Sequence, residues 1–170
     1  MWSIINFGRH EGKSLPQVLL HDPDWFFWAI ENGVFNNRPN LLPEATRLAF
    51  MAKHTKIPRP PQEWQISYVI SHDAKFLTFE IVENGADYLD ETHVVLDDHL
   101  DLSFPRQLKT YDKLGCRLLL RKFRYYFFGS ERAPLTKKRC EEFFEDRSNF
   151  LEQGPSIVPE PITQSETASA

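Results

Sequence analysis

A chain of 170 residues that is 41% hydrophobic and 14% aromatic carries enough apolar mass for one packed core, so a single domain is expected over residues 1–152. No run of about eighteen apolar residues occurs, and the opening Met1-Trp2-Ser3-Ile4-Ile5-Asn6 lacks the basic and apolar stretches of an export signal, so neither a membrane span nor secretion is expected. The only two cysteines, Cys116 and Cys140, fall in amphipathic stretches and read as buried free thiols, which suits a cytoplasmic location.

The expected class is α+β. Residues 4–7 are short and apolar enough for a strand, and Gly8-Arg9-His10-Glu11-Gly12 then supplies two glycines for a tight turn. Ser14 can cap a helix with Pro16 in its first turn and Leu15, Val18 and Leu19 on its apolar side, stopping near His21. Asp22-Pro23 starts a second helix through Trp25, Phe26, Trp28, Ala29 and Ile30, which Asn32-Gly33 ends. A third helix is expected from Pro43 to Lys53, completing a helical module over 1–56.

Ile57-Pro58-Arg59-Pro60-Pro61 reads as a stiff connector. Beyond it Trp64, Ile66, Tyr68 and Ile70 alternate with polar residues, and Leu77, Phe79 and Ile81 repeat the period after His72-Asp73-Ala74-Lys75, which predicts a β-hairpin. Val94–Leu96 and then Leu100, Leu102 and Phe104 suggest one or two further strands, giving an antiparallel meander of three to four strands over 62–105. Two C-terminal helices are expected within 110–152. In the first, Cys116, Leu119, Leu120, Phe123 and Phe127 share one face and Lys113, Arg117, Arg121 and Arg124 another, although Gly115 weakens it and a strand from Leu118 to Phe128 is the competing reading. In the second, Thr136 is the cap, Leu135 and Cys140 form a hydrophobic staple, and Phe143, Phe144 and Phe150 supply the apolar side. The proline-bearing, polar stretch 153–170 has the composition of a disordered tail.

The net charge of −4 conceals a separation along the chain. Glu80 to Asp101 holds eight acids and no Lys or Arg, whereas Arg106 to Arg139 holds eleven bases against two acids. Such asymmetry means either a polyanionic partner or two segments that pair within the fold. Lys113, Arg117, Arg121 and Arg124 repeat at i, i+4, i+8 and i+11, so a helix would align them over about 16 Å to meet successive phosphates. Lys137 and Lys138 oppose the dipole of the last helix at its start, and either a nucleic acid or the acidic segment would compensate them.

The segment Phe7-Gly8-Arg9-His10-Glu11-Gly12-Lys13, followed by Asp22-Pro23-Asp24-Trp25-Phe26-Phe27-Trp28, resembles a module of the form Phe-Gly-Lys-x-x-Gly-Lys, a helix, then Asp-Pro-x-Tyr-x-x-Trp. This module is similar to the C-terminal domain of exodeoxyribonuclease X-type exonucleases and to stand-alone bacterial and phage proteins labelled as quorum-sensing-regulated virulence factors. The resemblance spans about residues 4–35, with Arg9 where the module has Lys and Glu11 where a second base is common. It implies a DNA-linked accessory module of bacterial or phage origin, since the exonuclease's catalytic acids lie in another domain. Physically, Gly8 and Gly12 would let backbone N–H groups approach a phosphate, with Arg9 and Lys13 adding charge; the alternative is a structural turn.

The leading expectation is therefore a non-enzymatic nucleic-acid-binding protein, without cofactor, that contacts phosphates through Arg9, Lys13, Lys113, Arg117, Arg121, Arg124, Lys137 and Lys138. A protein-interaction module or inhibitor using the acidic surface around Asp87 to Asp101 is the alternative from another class. A metal-dependent nuclease is the third, with His93, Asp97, His99 and Asp101 on one face of a continuous strand.

Overall fold

The computed structural model describes residues 1–60, 63–85 and 93–151. At the start, the chain closes a loop on itself: Ile5 N–H donates to Lys13 O at 2.9 Å, Gly12 N–H donates to Ile5 O at 2.8 Å, and Ile4 bridges Ser14. The strand expected at 4–7 is reduced to that one bridge, because Gly8 enters the left-handed region (φ 66°) and a 3-10 turn over Gly8–His10 takes up the chain before a ladder can extend. Helix α1 (Leu15–His21) follows, with Leu15, Val18, Leu19 and Leu20 buried. Ser14 leads into it in extended conformation but makes no side-chain cap.

Helix α2 (Pro23–Glu31) starts on Asp22, whose carboxylate accepts from Trp25 N–H at 3.2 Å. It ends in a Schellman pattern: Gly33 sits at φ 65°, and Val34 N–H donates back to Ala29 O at 2.9 Å. Helix α3 (Leu41–Lys53) begins two residues before the expected Pro43 and turns Leu41, Ala45, Leu48, Met51 and Ala52 inward.

The strands form two sheets. Strand β1 (Thr55–Lys56) pairs with β5 (His99–Leu100), whereas β2 (Trp64–Ile70), β3 (Phe76–Glu83) and β4 (His93–Asp97) form a sheet of order β3-β2-β4. The hairpin stands as expected, with Ser67 opposite Glu80 and Tyr68 opposite Phe79. The meander does not: β4 pairs with β2, putting Tyr68 opposite Val95, so β2 is central and β3 an edge. Burial agrees, since Ile66, Ser67 and Tyr68 are consecutively buried on both faces of β2, while Leu77, Glu80 and Glu83 of β3 are exposed. Leu102 and Phe104 extend no strand. Pro105 instead occupies the first turn of a short helix, α4 (Phe104–Leu108), where its missing N–H is not needed.

Helix α5 (Lys113–Phe128) lies on β3, with Phe79 stacked on Tyr126 (5.1 Å between ring centroids) and packed on Phe123 (5.9 Å); the strand alternative for 118–128 is not adopted. Asp112 joins the two elements. Its buried carboxylate accepts from Gly115 N–H at 2.8 Å, capping α5, and from Phe76 N–H at 2.9 Å at the start of β3. Gly115 is required here rather than merely tolerated, because a Cβ at that position would stand 2.1 Å from Asp112 Oδ2.

Helix α6 (Lys137–Glu145) packs against α1, where Gln17 Nε2 donates to Leu135 O at 3.1 Å. Thr136 caps it by accepting from Arg139 N–H, and the staple residues Leu135 and Cys140 are both buried. Phe143 meets Phe127, Phe144 and Phe150 at centroid distances of 4.6, 5.2 and 5.6 Å, closing a hydrophobic cluster that runs from Trp2 to Phe150. The stretch 153–170 lies outside the described residues, as do Asp87, Asp90 and Glu91.

Candidate nucleic-acid interface

Helix α5 buries Gly115, Cys116, Leu119 and Phe123 and carries five bases, Lys113, Arg117, Arg121, Lys122 and Arg124, with no acid. At 100° per residue, Lys113, Arg117, Arg121 and Arg124 fall within an arc of about 80° turned away from the sheet, over about 16 Å of axis. Lys113, Arg117 and Arg121 are exposed and Arg124 is half-buried. The core-facing stripe and the basic stripe are thus two readings of one period: packing the apolar side on β3 leaves Lys113, Arg117 and Arg121 outward.

Other bases of the 106–139 segment are engaged, but not by the 80–101 acids. Arg106 binds Asp24 (2.9 Å) and Glu31 (3.0 Å), Lys109 binds Asp24 (2.7 Å), and Lys138 lies 3.7 Å from Glu142 one turn on. Asp24 is drawn below its usual value in consequence: burial pushes it up, and the hydrogen bonds from Lys109 and Arg106 outweigh that. Arg139 donates to Pro134 O and lies over the Phe128 ring. Among the described residues no ion pair joins the acidic segment to the basic one, and none involves Lys113, Arg117, Arg121, Arg124 or Lys137.

The N-terminal loop is wired differently from a phosphate cradle. The N–H groups of Glu11, Gly12 and Lys13 donate to Gly8 O, Ile5 O and His10 O, so these three donors are spent inside the turn. Arg9 binds Asp22 at 2.6 Å. His10 is buried, 3.2 Å from the same carboxylate and edge-on to Trp25 at 4.6 Å, and burial first, then Lys13 and Arg9, hold its pKa below the ordinary value against the pull of Asp22. The motif residues Arg9, His10, Asp22 and Trp25 therefore form one structural knot that fixes the loop to the start of α2. Trp25 also packs on Phe35 at 6.2 Å, whereas Trp28 is 40% exposed.

The Lys13 side chain makes no ion pair among the described residues, and its charge acts on both His10 and His21. His21, at the end of α1, is held below its usual pKa by partial burial, then by the positive charges of Lys13 and Arg124. The charges of Lys13 and Arg124 thus both act on His21 at the end of α1, which no spacing in the sequence announces. Along α5 two hollows open beside the stripe. A cleft of about 460 Å³ is lined by Lys109, Lys113 and Arg117 and by Asp22 and Asp24, together with Pro23, Pro105 and Leu120; a second of about 360 Å³ lies beside Arg121 and Arg124. Lys137 and Lys138 are exposed at the start of α6.

The residues proposed for a metal do not share a strand face. Strand β4 ends at Asp97 and β5 begins at His99 in the other sheet, and the His93 backbone pairs with Val69. Asp97, Asp98 and His99 do cluster, with ligand atoms within 4.8 Å, but His99 Nδ1 already lies 2.5 Å from Asp98 and 3.3 Å from Asp97. The His99 ring stacks on His54 at 5.6 Å, and Asp101 accepts from Ser103 N–H. Of the acidic surface considered for a protein partner, Asp87, Asp90 and Glu91 lie outside the described residues, and Asp97, Asp98 and Asp101 lie within them.

Both cysteines are buried free thiols with raised pKa values, Cys140 pushed up to about 12 by burial against the opposing charges of Arg124 and Arg139. Among the described residues no helix is long and apolar enough to cross a membrane. Compared with known proteins, the chain matches no protein-family model, no curated protein and no solved structure.

Proposed function

We propose that this chain is a non-catalytic nucleic-acid-binding protein that lays a phosphate backbone along α5. The observation that carries the reading is an acid-free amphipathic helix whose outward cations stand without ion pairs among the described residues, in a protein of net charge −4. The acids of α2 are taken by Arg106 and Lys109, and among the described residues no carboxylate pairs with the stripe, of which Lys113, Arg117 and Arg121 are exposed. Lys113, Arg117, Arg121 and Arg124 are the core contacts, Lys13 extends them from the N-terminal loop, and Lys137 and Lys138 form an outlying patch at the start of α6. Arg9 contributes indirectly by holding the loop that presents Lys13. Phosphate contacts of this type position a nucleic acid without reading its bases, so the reading is of sequence-independent binding in an accessory role.

The test is fluorescence anisotropy of labelled single- and double-stranded DNA and RNA with wild-type protein and the variant R117E/R121E/R124E. Submillimolar binding at low salt that disappears in the variant is the expected result. A folded wild-type protein that binds none of these probes at low salt overturns the proposal.

A further inference from the structure

The loop after α5 adds a cation that the helical stripe does not contain. Gly129 caps α5 in the left-handed region (φ 76°), with its N–H donating to Tyr125 O at 2.8 Å. Beyond that turn, Arg132 joins Arg121 and Arg124 around the pocket of about 360 Å³, and Glu131 is the acid on its wall. Among the described residues none of the three guanidinium groups is in an ion pair, with Glu131 or with any other carboxylate. Arg124 Nε is buried and donates to nothing. Three like charges gathered at one hollow repel each other, and a buried charged donor without an acceptor keeps its full desolvation cost, so the arrangement calls for an anion.

The charge balance selects the kind of anion. Three guanidinium groups against one carboxylate leave a surplus of two, matching a phosphomonoester dianion, whereas an internal phosphodiester carries a single charge. Arginine also suits the task, because its planar fork binds two phosphate oxygens at once. Position agrees: the pocket lies at the Arg124 end of the stripe, where a strand running along α5 from Lys113 would terminate. We infer that Arg121, Arg124 and Arg132 form a binding site for the terminal phosphomonoester of a nucleic-acid strand; this rests on the nucleic-acid reading of α5.

Anisotropy titrations with oligonucleotides of one sequence, bearing a 5′-phosphate, a 3′-phosphate or hydroxyl ends, test it. One phosphorylated end is expected to bind about tenfold tighter than the hydroxyl probe, the size of one added charge-assisted contact. In R132A, checked for folding by circular dichroism, that ratio is expected to fall to about one. Equal affinity for all three probes overturns the inference and leaves the nucleic-acid reading standing, and a preference that survives in R132A also overturns it. Failure of every probe to bind overturns the reading and the inference together.

Discussion

Replacing Gly115 with alanine should destabilise the protein, against the usual sign for glycine in a helix. Away from other contacts, Gly→Ala in a helix gains about 0.5–1 kcal/mol. Here the added Cβ would stand 2.1 Å from Asp112 Oδ2, 2.7 Å from its Cγ and 2.9 Å from Phe76 Cβ. The backbone of β3 cannot retreat without breaking its pairing with β2, so the Asp112 carboxylate must rotate away. It then surrenders the cap on Gly115 N–H, a loss of about 0.5–2 kcal/mol. It also leaves Phe76 N–H buried without an acceptor, a cost of about 1–3 kcal/mol. Set against the helical gain, the net is a loss of about 2–3 kcal/mol, which in a domain of this size lowers Tm by about 5–10 °C. Scanning calorimetry of wild type, G115A, D112A and the double variant measures it. Because D112A removes the obstructing carboxylate, the double variant should cost less than the two single changes added together by about 1 kcal/mol or more. A G115A protein as stable as wild type would refute the account of how Asp112 ties α5 to the sheet, and with it the basis on which the basic stripe is oriented.

The buried His10 makes stability depend on pH. Its pKa is depressed in the folded state, so the unfolded chain binds the proton more readily; stability is complete above the ordinary value of 6.5 and is lost as pH falls below it. Thermal melts from pH 8 to pH 5 should show a falling Tm that is flatter in H10Q, and an identical slope in the two proteins would contradict the assignment. Cys140, fully buried and with its thiol pushed up to about 12, should resist a disulfide reagent at pH 8 in the native protein and react at once in denaturant; rapid native reaction would place it at the surface.

Legibility from sequence divided along the line between local and long-range information. Helices α1, α2, α5 and α6 and the β2–β3 hairpin follow from caps, turns and periodicity, all contained within a few residues. The partnership of β4 with β2 instead of β3 depends on a contact that adjacent strands do not encode. Leu100, Leu102 and Phe104 alternate as a strand would, yet Pro105 in the first turn of α4 was the local signal of a helix start. At the site, the spacing of Lys113, Arg117, Arg121 and Arg124 made the stripe visible. Which bases would be neutralised was not visible, because the acids that take Arg106 and Lys109 lie on α2, 75 to 85 residues earlier. The turn Phe7–Lys13 reads equally as a phosphate loop or a structural one until Asp22 is seen to hold Arg9 and His10 together. Arg132 was missed for a related reason: only the turn at Gly129 brings it beside Arg121 and Arg124.

The salt dependence of DNA binding tests the central claim most directly. If the four α5 cations each displace a counterion from duplex DNA, log K should fall against log salt with a slope of about −3.6, close to a hundredfold loss between about 50 and 200 mM. The R117E/R121E/R124E variant should lose both the affinity and the slope. A slope near zero, or a variant that binds as tightly and as salt-sensitively as wild type, would contradict the account.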